Sequence, residues 1–138
     1  MVKKNACVFI SGKGTNLRSL IKNSRSYNFP INIKLIVSDR KLAEGLVYAK
    51  KYSIPYSIID MKSRFSEIKI LHEIKNKNIS LICLAGYMKI IPERFIKDFN
   101  KPILNIHPSL LPKFKGLNTH KRVLKSDEKY TGCTVHYV

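Results

Sequence analysis

The strands of this chain announce themselves as apolar runs, and the helices as apolar residues three and four apart. Residues 6–10 (Ala-Cys-Val-Phe-Ile) and 81–85 (Leu-Ile-Cys-Leu-Ala) are continuously apolar, the pattern of strands buried on both faces. Residues 31–37, 56–59 and 103–106 predict three further strands, and residues 131–138 open as an alternating one. Between them, Leu17, Leu20 and Ile21 recur at helical spacing, with Thr15 or Asn16 as the expected N-cap. Residues 42–52 predict a helix with Leu42, Leu46 and Ala49 on one face, weakened by Gly45. Residues 65–77 predict an amphipathic helix with Ile68, Leu71 and Ile74 inward and Glu67, Lys75 and Lys77 outward. Pro92 suits the first turn of a short helix reaching about Asp98, and residues 119–124 predict another.

This alternation argues an α/β fold: a Rossmann-like, doubly wound, mainly parallel sheet with helices on both faces. The span 1–138 reads as a single domain without repeats or linkers. Ligands of such sheets bind beyond the carboxyl ends of the strands. Three stretches that do not look like packing lie at such ends: residues 11–16, 86–91 and 105–116.

Each stretch has its own chemistry. Residues 11–16 (Ser-Gly-Lys-Gly-Thr-Asn) form a glycine-containing turn that opens a helix, where free N–H groups and the helix dipole favour a phosphate. The spacing is neither a P-loop nor the dinucleotide fingerprint, since Leu17 stands where the third glycine would be. A phosphate monoester is the better expectation, against the alternative of a plain tight turn. Residues 86–91 (Gly-Tyr-Met-Lys-Ile-Ile) either offer backbone to a flat heteroaromatic ligand or tuck Met88 and Ile91 into the core. Asn105 and His107, two apart on a strand, project to the same side. An amide beside an imidazole on stiff backbone can stabilise charge developing on a carbonyl oxygen; a buried, hydrogen-bonded strand-end histidine is the alternative. Of the other histidines, His72 reads as a surface residue, His136 as a core strand residue, and His120 as one that could approach the site. No His has Asp or Glu at ligand spacing, so no metal is expected.

Composition narrows the setting. No apolar run approaches the roughly 20 residues of a membrane span, and the N-terminus lacks a signal-peptide layout. Three cysteines without metal spacing fit a reducing cytoplasm. The net charge of +17 raises nucleic acid as a partner, yet the lysines are scattered and no aromatic-interleaved basic stripe occurs. The expected partners are therefore small molecules, drawn in by a positive field, with no nucleic acid and no membrane.

Together the motifs are more specific than any one of them. Ser-Gly-x-Gly-Thr-Asn after a buried strand, then Leu-Ala-Gly-Tyr-Met-Lys-Ile-Ile, then Leu-Asn-Ile-His-Pro-Ser-Leu-Leu-Pro-x-Phe-x-Gly, resembles the phosphoribosylglycinamide formyltransferases, across essentially the whole chain. The resemblance implies the formyltransferase fold and transfer of a formyl group from 10-formyltetrahydrofolate to the amine of 5'-phosphoribosylglycinamide in purine biosynthesis. It implies that Gly14, Thr15 and Asn16 hold the ribonucleotide phosphate, and that Arg64, Met88, Lys89, Ile90, Ile91 and Asn105 contact the folate. Asn105 would bind the formyl oxygen, and His107 would stabilise the tetrahedral intermediate and move the amine proton. Asn118 and Lys89 depart from the family, which often has His and Arg there. The family also continues past the position of Val138 to an Asp that partners the catalytic His. On this reading the chain is the N-terminal portion of the fold, with its C-terminal part missing, and is impaired in turnover.

Three alternatives make different predictions. A non-catalytic fragment keeps ribonucleotide binding without turnover. A methionyl-tRNA formyltransferase shares the Asn-x-His region but differs at residues 11–16. A basic nucleic-acid module predicts binding that falls steeply with salt.

Overall fold

A computed structural model describes residues 2–138. Its sheet has six strands, β1 (Lys4–Ile10), β2 (Ile31–Ser38), β3 (Tyr56–Ile58), β4 (Ile79–Leu84), β5 (Ile103–His107) and β6 (Thr134–Tyr137). Five helices connect them: α1 (Thr15–Ser24), α2 (Leu46–Lys51), α3 (Arg64–Asn76), α4 (Glu93–Phe99) and α5 (Thr119–Lys125). The strand order is β3-β2-β1-β4-β5-β6. The first five strands run parallel, and β6 runs antiparallel to β5.

The apolar runs explain this order. In β1 residues 6–10 are all fully buried, because both faces of the central strand are covered. Cys7 and Phe9 face one way, toward Ile70 and Ile74 of α3 and Phe95 and Phe99 of α4. Ala6, Val8 and Ile10 face the other way, toward Leu17 and Ile21 of α1 and Leu46 and Ala49 of α2. The chain thus winds outward from β1 to β3 with helices on one face, then crosses back to β4 with helices on the other. The reversal lies between β1 and β4, so the carboxyl ends of those two strands border the crevice where such folds bind ligands.

Several expectations need correction. The second helix begins at Leu46, not at position 42, and Leu42 is 90% exposed. Its apolar spacing fits a helix, but the chain makes turns from Arg40 onward and Gly45 takes the N-cap position. Thr15 and Asn16 do not cap α1; Gly14 does, in the left-handed conformation and without a side-chain cap. The inward face of α3 is Glu67, Ile70 and Ile74, whereas Ile68 is half exposed. Glu67 is tolerated inside because Arg64 Nη1 lies 2.6 Å from one carboxylate oxygen and Arg94 Nε 2.8 Å from the other. Strand β6 starts at Thr134, not at residue 131, and its alternating half-buried pattern suits an antiparallel edge. His136 is accordingly a half-buried edge residue, not a core one. His72 is exposed, as expected. Among the described residues no helix is long and apolar enough to cross a membrane.

Candidate active site

Backbone register lines up one level of the sheet just below its carboxyl edge. Val37 pairs with Phe9, Phe9 with Leu84, Leu84 with Asn105, and Asn105 with His136. The turn after β1, the connection after β4 and the end of β5 carry the candidate residues, so three separate segments converge by topology alone.

The first connection is the turn into α1. Gly14 has φ 75° and ψ 29°, a conformation that costs glycine nothing. The first α-helical bond runs from the Arg18 N–H to the Gly14 carbonyl at 2.8 Å. The N–H groups of Thr15, Asn16 and Leu17 therefore precede the ladder and lie at the positive end of the helix dipole. Both Thr15 and Asn16 are exposed, while Gly14 is buried. Such a terminus suits a phosphate monoester.

The connection after β4 holds the second group. Here the structure splits the stretch. Met88 (61% exposed) and Ile90 (92%) point outward, and Lys89 is also exposed, but Ile91 is buried with Phe95 in the core. A cleft of about 570 Å³ opens beside it, lined by Ile59, Met61, Met88 and Ile90 on its apolar side and by Asp39, Asp60, Lys62 and Lys89 on its polar side. Tyr87 closes the bottom, packed edge-on against Phe9 with ring centroids 5.3 Å apart. Its hydroxyl is buried without a hydrogen-bond partner among the described residues. Burial, reinforced by Asp39 and Asp60, pushes the Tyr87 pKa up to about 12. Arg64 is not among the residues lining this cleft. It sits at the start of α3, paired with Glu67 and, at 3.2 Å, with Asp98. The hydrogen bond to Asp98 raises its pKa above the ordinary value.

The third group is the end of β5. Asn105 and His107 are both half-buried. Asn105 Nδ2 lies 3.3 Å from His136 Nε2 across the β5–β6 pair. His107 Nε2 lies 2.8 Å from the Phe114 carbonyl. A carbonyl only accepts, so Nε2 carries the proton there and, in the neutral ring, Nδ1 keeps its lone pair. The loop that follows is held from both ends. Ser109 Oγ donates to the Lys113 carbonyl at 2.5 Å, and Thr134 Oγ1 donates to the Ser109 carbonyl at 2.7 Å while accepting the Leu111 N–H at 3.1 Å. His120 is exposed on α5. Among the described residues no cluster of His, Cys, Asp or Glu could hold a metal ion.

The sequence does not show the hydrogen bonds that stitch these segments together. Ser11 Oγ donates to Asp39 Oδ1 at 2.6 Å and accepts the Met88 N–H at 2.8 Å. The Gly45 N–H donates to the Gly12 carbonyl at 2.9 Å. His136 and Thr134 flank the β5 end. Only Ser11 carried a signal, as a polar residue closing a buried apolar run.

The assembled features have counterparts among known proteins. The sequence pattern of the formyl transferase family matches residues 4–138. Trifunctional purine biosynthetic protein adenosine-3 of Gallus gallus is 43% identical over 140 residues, which are 99% of this chain and 14% of that protein. Phosphoribosylglycinamide formyltransferase of Haemophilus influenzae is 40% identical over 139 residues, 98% of this chain and 66% of that protein. Among solved structures, phosphoribosylglycinamide formyltransferase from Brucella melitensis superposes with a TM-score of 0.90 at 40% identity, covering 97% of this chain and 72% of that one. The Anaplasma phagocytophilum protein of the same name gives 0.88 at 40% identity, covering 99% and 65%. The chain thus spans 66% of the Haemophilus relative's length and a much smaller share of the trifunctional proteins.

Proposed function

Because this chain belongs to the formyl transferase family, we propose that it transfers the formyl group of 10-formyltetrahydrofolate to the amine of 5'-phosphoribosylglycinamide, a step of purine biosynthesis in the cytoplasm. The observation that carries the reading is the Asn105–His107 pair, side by side at the end of β5 and next to the loops that leave β1 and β4. The N–H groups at Gly14, Thr15 and Asn16 hold the phosphate. The cleft beside Met88, Lys89 and Ile90 takes the folate: its volume is that of a small-molecule pocket, its apolar side suits a flat ring system, and Lys62 and Lys89 suit carboxylates. Ile91 supports that wall from behind, and Arg64 reaches a carboxylate at the cleft's outer end by exchanging Asp98 for it.

The chemistry follows from the pair. The amine nitrogen bonds to the formyl carbon, and the carbonyl electrons move onto oxygen. The Asn105 amide donates to that oxygen, an interaction that strengthens as charge develops. The bond from the formyl carbon to the folate nitrogen then breaks, and the proton lost by the amine reaches the leaving nitrogen with His107 as its carrier. The Phe114 carbonyl fixes the ring so that its other nitrogen is available.

The test is a formyl-transfer assay run beside equilibrium binding of the ribonucleotide and of tetrahydrofolate. Turnover that falls by about 10²–10³ in Asn105→Ala, as for the loss of an oxyanion donor, supports the reading, as does a comparable loss in His107→Ala. Binding of both ligands without turnover leaves the non-catalytic alternative standing. Failure to bind either ligand overturns the proposal.

A further inference from the structure

Ser11 is 1% exposed and stands where β1 gives way to the glycine turn. Its hydroxyl donates one hydrogen bond and accepts one. The Asp39 carboxylate can only accept, so the proton of Ser11 Oγ points to it, and the lone pairs are left for the Met88 N–H. The result is a directed chain from the Met88 amide through Ser11 to Asp39. Two backbone bonds flank it: the Ala85 N–H donates to the Phe9 carbonyl at 2.9 Å, and the Gly45 N–H donates to the Gly12 carbonyl at 2.9 Å. The first joins the ends of β1 and β4; the second joins the glycine turn to the segment after β2. The side chains in this seam are those of Ser11 and Asp39, and Ser11 stands at the point where the strand order reverses.

The two ends of the chain belong to different jobs. Ser11 is continuous with the turn whose N–H groups receive a phosphate. Met88 belongs to the wall of the cleft that takes the folate. A ligand that fixes residues 12–16 also fixes the Cα of Ser11, hence its hydroxyl, hence the Met88 amide. The ordering cost met by the first ligand is then not met again by the second.

We propose that Ser11 is a positioning residue that couples the two binding loops, so that ribonucleotide and folate each raise the other's affinity through the Met88–Ser11–Asp39 hydrogen-bond chain. This inference rests on the proposed function and deepens it. By linkage the coupling is reciprocal, with a factor of about fivefold or more expected for a real coupling between sites.

The experiment is isothermal titration of the protein with glycinamide ribonucleotide, and with tetrahydrofolate, each alone and each with the other saturating. Tetrahydrofolate carries no formyl group, so the ternary complex does not react. The unaltered protein should show the same coupling factor from both directions. Ser11→Ala should bring the factor to about one, whatever it does to the separate affinities, since a merely structural loss weakens both without changing their ratio. Asp39→Asn keeps an acceptor oxygen for Ser11 and should keep the coupling; Asp39→Ala should reduce it. Near-ultraviolet circular dichroism checks that each variant is folded, and the Asp39 pair carries the test if Ser11→Ala is not. A factor of one in the unaltered protein overturns the proposal, as does an undiminished factor in Ser11→Ala or in Asp39→Ala. If the unaltered protein binds neither ligand, the proposed function falls and this inference with it; if it binds both without coupling, only this inference falls.

Discussion

Gly14 and Gly45 pack backbone against backbone with no space for a side chain on either. A Cβ on Gly14 would come within 2.6 Å of the Gly45 Cα, and one on Gly45 within 2.9 Å of the Gly14 Cα and 2.8 Å of Ile10 Cδ1. The contact presses the start of α2 onto the turn that opens α1, with the Gly45 N–H bonded to the Gly12 carbonyl. The position of the N–H groups proposed to hold the phosphate is therefore set from outside their own loop.

Gly45→Ala should expose that dependence. The added methyl meets backbone, which cannot swing aside, so the turn or α2 must shift. Overpacking of this kind costs about 1–3 kcal/mol of stability. The KM for the ribonucleotide should rise by about tenfold, the equivalent of 1.4 kcal/mol, and by more than the KM for the folate. Steady-state kinetics with each substrate varied in turn would check this. Equal changes in both KM values would mean that Gly45 serves only the packing of the helix.

The same glycine shows where the sequence could be read and where it could not. The buried strands were legible because a parallel sheet covered on both faces demands continuous apolar runs, and residues 6–10 and 81–85 supply them. Gly45 read only as a helix weakener, since its partner Gly14 lies 31 positions away and close approach leaves no local mark. Leu42 satisfied helical spacing with Leu46 and Ala49 but belongs to a turn. Asn105 and His107 were legible as a pair from strand periodicity. That His136 stands beside Asn105 depends on the antiparallel register of β6, which no short window of sequence encodes.

Glu67 is the clearest case of a partner distant in sequence. By its charge it belongs outside, yet it is fully buried between α3 and α4 because Arg64 and Arg94 take one oxygen each. Both arginines are about half exposed, so either can be removed without stranding a buried cation. Arg94→Ala leaves Glu67 one partner and should cost about 2 kcal/mol, within the range for a hydrogen bond to a charged group. Removing both arginines leaves a buried carboxylate with no counter-charge. The double variant should lose more stability than the two single variants together. Urea denaturation of the four proteins would measure the excess, and strict additivity would show that water reaches Glu67. Replacing Glu67 with Gln in the double variant should recover part of the loss, because the neutral amide tolerates burial better.

Tyr87 offers a prediction with a definite pH window. Its hydroxyl is buried without a partner among the described residues, and its pKa is pushed up to about 12 by burial, with Asp39 and Asp60 adding to the effect. An unfolded tyrosine ionises near pH 10. Between these values the folded protein holds a proton that the unfolded chain has released, so the linkage term makes stability fall as pH rises. The contribution is fully present below about pH 10 and is lost as pH climbs toward about 12. Tyr87→Phe keeps the ring packed edge-on against Phe9 and removes only the hydroxyl. At neutral pH the variant should be as stable as the unaltered protein, or more so by about 1 kcal/mol, since an unmade buried hydrogen bond disappears. The gap in its favour should widen from about pH 10 upward, where the variant has no phenol to ionise. Lysines titrate in the same range, but they are common to both proteins and cancel in the difference. Denaturation midpoints of the pair at several pH values between 8 and about 11 would check it. A constant difference across that range would show that the Tyr87 hydroxyl is solvated in solution and that the bottom of the cleft admits water.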